Sequence, residues 1–185
     1  MPRRRYPRVC PRETSIALVL GLLLLGAQPA AADSALIMRY GGADSDYERI
    51  GLGLRLAPVW SADLGRWKAR LHPEVELSHF RYTGPATGPD NMEQGGIVGQ
   101  LRLQRETGNW RPYGELGLGL SLFSEDQLGQ KRFSTHFQFS QHLGLGVELA
   151  GKGFAGYQYS HYSNADIDTP NDGIDVHQAV VGVRF

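Results

Sequence analysis

The chain has little cysteine, and the position of its one cysteine removes several kinds of chemistry. Cys10 is the only cysteine among 185 residues, and it precedes the apolar run near the N-terminus. A thiol at that position cannot be a lipoprotein acylation site at a cleavage point beyond the run. The rest of the chain is therefore expected to contain no disulfide and no thiol nucleophile.

Long apolar runs are also missing after residue 32. No stretch there approaches the roughly 18 residues of a membrane-spanning helix, and none has the period of an amphipathic helix. The 24 glycines are too many for a helical protein, but they suit curved and closely packed strands. The length is that of one domain.

The first 32 residues have the organisation of a signal peptide. Five arginines precede an apolar run over residues 16–27, and the small residues Ala30, Ala31 and Ala32 follow it. Because the run is too short for a spanning helix, a membrane anchor is disfavoured. The pattern predicts a cleaved signal peptide over residues 1–32 and an outer-membrane β-barrel over residues 33–185.

Charge of one sign is not in large excess. Lys and Arg total 19, as do Asp and Glu, and cleavage would remove five arginines and Glu13 to leave 14 and 18, a net charge of −4. A nucleic-acid-binding surface needs a basic stripe, and none is visible. We expect no nucleic-acid partner.

The remaining sequence is built from about eight alternating segments. Each has one apolar face and one face of glycine, polar or charged residues, the period-two pattern of a half-buried strand. This predicts an all-β fold, an eight-stranded antiparallel barrel. The segments cover residues 35–42, 48–57, 67–82, 93–105, 111–123, 135–149, 154–163 and 178–185.

Two kinds of barrel fit this alternation, with the apolar face inside a soluble barrel or outside a membrane barrel. The signal peptide, the terminal Phe185 and the aromatic residues near strand ends favour the transmembrane barrel of the outer membrane. Eight strands leave no water-filled pore, so the interior should hold paired charges. The predicted interior charges are Arg39, Arg55, Lys68, Arg70, Glu74, Glu76, Arg102, Glu115, Glu148 and Arg184.

The connections predict the orientation. Those at 58–66, 106–110 and 150–152 are short, whereas those at 83–92, 124–134 and 164–174 are longer and more polar. Bacterial outer-membrane barrels have short periplasmic turns and longer outer loops. The connection 43–47 is short and does not follow the rule. The segment 164–174 is therefore expected on the outside of the cell.

One constellation of residues suggests hydrolytic chemistry. His161 and Ser163 are two apart, which on a strand places them on one face about 6–7 Å apart at Cα. An imidazole at that separation can act as general base for the hydroxyl. Counting parity back from Phe185 puts Asp175 on the same outer face, where it could orient His161. The alternative is a rim histidine bonded to a loop.

The string His161-Tyr162-Ser163-Asn164-Ala165, followed by Asn171 and an acid at 175, resembles the outer-membrane lipid A 3-O-deacylase (PagL-type) family. Members are eight-stranded barrels that cleave an ester-linked acyl chain from lipid A in the outer leaflet. The resemblance is most specific over residues 157–185. It implies a serine carboxylic-ester hydrolase that removes the 3-O-linked hydroxyacyl chain.

The resemblance also assigns roles. Ser163 would be the nucleophile, His161 the base and then the acid, and Asp175 the orienting acid, while Asn171 with Asn164 would serve the oxyanion. The family pattern has Glu where this chain has Asp175, so the arm is shorter by about 1–1.5 Å. Either the loop moves inward, or the contact is poorer, or Asp172 substitutes.

Other functions remain open at this point. A small outer-membrane barrel can be a non-enzymatic adhesin or a structural or surface-binding protein, and an assay on lipid A separates the two classes. The aspartates of the loop 164–174 could bind calcium, but a solvated acidic loop is favoured; His136 and His142, both expected to face the lumen, lack strong metal spacing. We expect neither a metal nor a cofactor. The expected partners are lipopolysaccharide and outer-membrane lipid, and a homodimer is possible.

Overall fold

The structure, a computed structural model, describes residues 33–85 and 88–185. The predicted signal peptide lies outside these residues. Within them no helix is long and apolar enough to cross a membrane. The strands are β1 (Ala35–Ala43), β2 (Tyr47–Arg55), β3 (Trp60–Leu64), β4 (Trp67–Tyr82), β5 (Asn91–Arg105), β6 (Trp110–Phe123), β7 (Gln127–Leu128), β8 (Lys131–Arg132), β9 (Phe137–Leu149), β10 (Gly153–Ser163) and β11 (Ile174–Arg184).

Eight of the strands form a closed antiparallel barrel, as predicted. The sheet order is β2-β1-β11-β10-β9-β6-β5-β4, and β4 pairs back onto β2 to close it. If paired residues are followed once around the barrel from a residue of β11, the path returns to β11 ten residues away from its start. Such an offset requires strands that are strongly tilted relative to the barrel axis. The path runs through Arg184, Ala35, Arg55, Glu74, Val98, Gly119, Ser140, Tyr162 and Ile174.

Two connections contain strands that the sequence did not predict. The segment 58–66 is not a plain connection, because β3 lies in it and pairs with the first half of β4. The long connection between β6 and β9 contains the short hairpin of β7 and β8. The connections 44–46, 83–85 with 88–90, 124–136 and 164–173 lie at one end of the barrel, which we call the loop end.

The apolar faces point outward, which is the membrane arrangement. Leu118 is 72% exposed, Leu145 63% and Leu122 62%, although leucines of a soluble barrel would fill its core. Buried polar and charged side chains occupy the interior, together with two apolar clusters. This inversion confirms the membrane version of the barrel that the alternation left open.

The interior is a network of paired charges, as expected. Glu115 Oε1 accepts from Arg55 and Arg102, each at 2.5 Å, and Glu74 bridges Arg39 and Arg55. Glu148 bridges Arg102 and Arg184. Nearly every buried charge has a partner of opposite sign. The attraction within these pairs offsets the cost of removing the charges from water.

The predicted network lacks one member. Arg49 was missed, yet it is 1% exposed and bonds Glu76, Ser78 and Gln178. Lys68 and Arg70 share the inner face with their cross-strand partners Gln104 and Arg102, but they pair with Asp63 and Glu106 and not with the interior carboxylates.

An apolar layer fills the barrel interior at the loop end. Leu128 and Phe133 come from the connection between β6 and β9, and both are fully buried among residues from the ends of the strands. Tyr162 joins this layer to the charged interior, because its ring packs against Phe80 and its hydroxyl donates to Glu76. The connection is thereby anchored in the barrel mouth, which gives the neighbouring loop 164–173 a fixed support.

Candidate active site

The last hairpin of the barrel brings the predicted catalytic residues together. β10 and β11 are antiparallel neighbours, and His161 and Asp175 are direct cross-strand partners. Direct partners have their Cβ atoms about 4.5–5.5 Å apart and point to the same side of the sheet. Ser163, two residues after His161, shares that side, which is the outer wall of the barrel.

The three side chains form a continuous hydrogen-bonded chain. Asp175 Oδ1 lies 2.7 Å from His161 Nδ1, and His161 Nε2 lies 3.0 Å from Ser163 Oγ. With the proton on Nδ1, the imidazole donates to the carboxylate, so Nε2 is free to accept from the hydroxyl. This is the order of contacts that a serine hydrolase requires.

The shorter acid at 175 reaches the histidine across the last hairpin, with Oδ1 at 2.7 Å from Nδ1. The cross-strand position already places its Cβ beside that of His161, so one carboxymethyl arm spans the gap. Asp172 does not substitute for it. Its carboxylate accepts from the backbone N–H of Arg132 at 2.7 Å, on the other side of the loop.

Sequence reasoning missed Tyr159, whose hydroxyl donates to the same Oδ1 of Asp175 at 2.5 Å. Parity provided a signal, because Tyr159 lies two residues before His161 and shares its face. Next along the wall, Tyr157 bonds His177 Nδ1. The apolar side of the site was also missed. Phe139, on β9, is the cross-strand partner of Ser163 on one side and of Leu120, on β6, on the other.

The two asparagines assigned to the oxyanion differ in what they have left to donate. Asn164 is fully buried, and its Nδ2 donates to Phe133 O at 2.8 Å and Asp168 O at 2.9 Å, which uses both hydrogens. Its side chain therefore cannot donate to an oxyanion, and that expectation is corrected. Asn171 donates once, to Asp166 at 3.1 Å, and keeps one amide hydrogen.

Hydrogen bonds fasten the loop 164–173 to the connection that fills the barrel mouth. Arg132 and Asp172 are joined twice, through the Asp172 carboxylate and through Asp172 N to Arg132 O at 3.0 Å. Ser134 Oγ donates to Pro170 O at 2.7 Å. Together with the bonds of Asn164, these contacts tie the loop beside Ser163 to the buried apolar layer.

No metal centre is apparent in residues 33–85 and 88–185, where no three His, Cys, Asp or Glu side chains are grouped to hold an ion. His142 faces the lumen and bonds Ser160 Oγ at 2.7 Å. His136 does not, contrary to the expectation: it is exposed before β9 and bonds Phe123 O.

Comparison with known proteins gives a consistent result. The family model described as Lipid A 3-O-deacylase (PagL) matches residues 48–184. The lipid A deacylase PagL of Bordetella bronchiseptica is 32% identical over 170 residues, 91% of this chain and 93% of the relative. The lipid A deacylase PagL of Pseudomonas aeruginosa is 34% identical over 65 residues, which are 35% of this chain and 38% of that protein.

The fold has a counterpart among solved structures. The crystal structure of the outer membrane enzyme PagL superposes with a TM-score of 0.75 at 18% identity, and the match covers 82% of this chain and 99% of that one. At that identity the likeness concerns the fold alone, and it is the same kind of barrel.

Proposed function

The chain belongs to the lipid A 3-O-deacylase (PagL) family, and we propose that it hydrolyses the 3-O-linked hydroxyacyl ester of lipid A with Ser163 as nucleophile and His161 as base. The observation that carries the proposal is the position of His161, with Nε2 at 3.0 Å from Ser163 Oγ and Nδ1 at 2.7 Å from Asp175 Oδ1. The protein is an outer-membrane hydrolase that acts on lipopolysaccharide.

The first half of the reaction forms an acyl-enzyme. Ser163 Oγ attacks the ester carbonyl while its proton passes to His161 Nε2, and Asp175 stabilises the imidazolium. The free amide hydrogen of Asn171 is the proposed donor to the oxyanion. The bond between the acyl carbon and the ester oxygen then breaks, and His161 returns the proton to the sugar alkoxide that leaves.

The second half uses water. His161 removes a proton from water, the hydroxide attacks the acyl-serine, and collapse of the tetrahedral intermediate restores the Ser163 hydroxyl. The products are a 3-hydroxy fatty acid and lipid A with one free hydroxyl. Because His161 supplies both the base and the acid, the proposed steps need no cofactor.

The placement of the site suits a substrate that lies in a membrane. The His161 side chain is 31% exposed and that of Asp175 58% exposed, and both are on the outer wall. Phe139 beside Ser163 continues the apolar surface along which an acyl chain can lie. We propose that the loop end faces the outside, so that the site meets lipid A of the outer leaflet laterally.

The test is product analysis. The barrel, purified in detergent micelles, is incubated with lipid A, and the mass of the lipid is followed together with the free fatty acid. The expected result is the loss of one hydroxyacyl chain and its recovery as a free 3-hydroxy acid. A lipid A unchanged in mass after prolonged incubation would favour a non-enzymatic barrel.

A further inference from the structure

Two donors converge on one oxygen of the proposed catalytic acid. Asp175 Oδ1 accepts from Tyr159 Oη at 2.5 Å and from His161 Nδ1 at 2.7 Å. His161 is the direct cross-strand partner of Asp175, whereas Tyr159 is partnered with His177 and is therefore diagonal to the acid. A diagonal neighbour is about 7–8 Å away, a distance that only a long side chain such as tyrosine bridges.

The acid needs such a support because of its place in the fold. It is the second residue of β11, directly after the loop 164–173, and its side chain is 58% exposed. An exposed aspartate can rotate toward water and leave the histidine. Among the described residues, Tyr159 and His161 are the side chains that bond this carboxylate.

We propose that Tyr159 is a positioning residue. It holds the Asp175 carboxylate where the carboxylate can accept from His161 Nδ1 and so orient the imidazole. Tyr159 acts through Asp175 and does not contact the reacting atoms. Its ring is in turn flanked by that of His177, with the centroids 5.4 Å apart. The kinetic part of this inference rests on the proposed function, whereas the placement of the carboxylate does not.

A double-mutant cycle separates positioning from a general structural role. Tyr159→Phe removes only the hydroxyl, and we expect kcat on lipid A to fall about tenfold with KM within about twofold, since a hydrogen bond to a charged group is lost. In an Asp175→Ala background the same change should cost less than about twofold. Equal losses in the two backgrounds would contradict the proposal.

Tyr157→Phe is the matched control. Tyr157 lies on the same strand and face, but its hydroxyl bonds His177 and not the acid. We expect its kcat to stay within about twofold of the parent, because the bonds to Asp175 are untouched. A loss equal to that of Tyr159→Phe would mean that the wall as a whole, and not Tyr159, is responsible.

A spectroscopic measurement tests the placement even if lipid A is not the substrate. The Nδ1–H proton of His161, bonded to a carboxylate, should give a strongly downfield NMR resonance in the micelle-bound protein, and Asp175→Ala should remove it. Tyr159→Phe should move it upfield or broaden it by exchange, and Tyr157→Phe should leave it in place. A resonance unchanged in Tyr159→Phe would overturn the positioning role whatever the kinetics show.

Discussion

His161 and Asp175 are direct cross-strand partners of β10 and β11, and their side chains meet on the outer wall at 2.7 Å. The contact is therefore built into the register of a hairpin and does not depend on a loop conformation. Ser163 continues the same face, so one pair of strands sets the backbone positions of all three groups.

The register places Asp175 directly opposite His161, so the activity should depend on this acid in particular. We expect Asp175→Ala to lower kcat by roughly two to four powers of ten, because the imidazolium loses its partner and the correct tautomer is no longer held. Asp175→Glu should keep much more activity, since it retains the carboxylate. The measurement is initial rates on lipid A at saturating substrate.

Asp172→Ala is the matched control for Asp175→Ala. Asp172 is three residues away in the same segment, but its carboxylate bonds the Arg132 backbone and not His161. Its loss should cost less than about tenfold, since it removes one of several bonds that fasten the loop. If Asp172→Ala inactivated the enzyme and Asp175→Ala did not, the assignment of the acid would be wrong.

The interior network predicts that removing a buried carboxylate lowers the free energy of unfolding more than removing a partly exposed one. Glu115→Ala leaves Arg55 and Arg102 buried with one charged partner fewer each, and we expect it to lower the free energy of unfolding by about 3–5 kcal/mol. Glu106→Ala, which breaks the partly exposed pair with Arg70, should cost about 1 kcal/mol or less. Denaturant unfolding in a lipid bilayer measures both, and equal losses would count against the network.

The orientation of the barrel is testable with single cysteines, because the only native cysteine lies within the predicted signal peptide. Ile167→Cys, at a 65% exposed position in the loop 164–173, should react with a membrane-impermeant maleimide on intact cells. Thr107→Cys, in the turn 106–109, should react only after lysis. The reverse pattern would put the site on the periplasmic side.

The barrel and the face of each proposed catalytic residue could be predicted because side-chain alternation is strict where one side of a strand meets lipid. Parity counted from Phe185 placed Asp175 correctly, since β11 pairs without interruption with both neighbours. Asn164 follows Ser163 directly, so the same alternation, continued by one residue beyond β10, puts the Asn164 side chain on the face opposite to that of Ser163. The assignment of Asn164 to the oxyanion overlooked this.

Two other features were missed for different reasons. The sequence of β3 alternates, with Trp60, Ala62 and Leu64 against Ser61 and Asp63, but the strand has only five residues and lies between two longer predicted strands. The hairpin of β7 and β8 depends on two paired residues per strand and on the burial of Leu128 and Phe133 in the barrel mouth. That burial is a long-range contact, which hydropathy along the chain does not encode.

The most direct test of the account is the turnover of lipid A by Ser163→Ala, with Ser45→Ala as the control. Ser45 is a serine of the first loop whose hydroxyl, among the residues that the structure describes, donates to Asp46 Oδ1. We expect Ser163→Ala to fold and to lose several powers of ten in kcat, because the nucleophile itself is removed, while Ser45→Ala keeps the parent rate. A Ser163→Ala protein that still released the hydroxyacyl chain at a near-normal rate would contradict the nucleophilic role on which the mechanism depends.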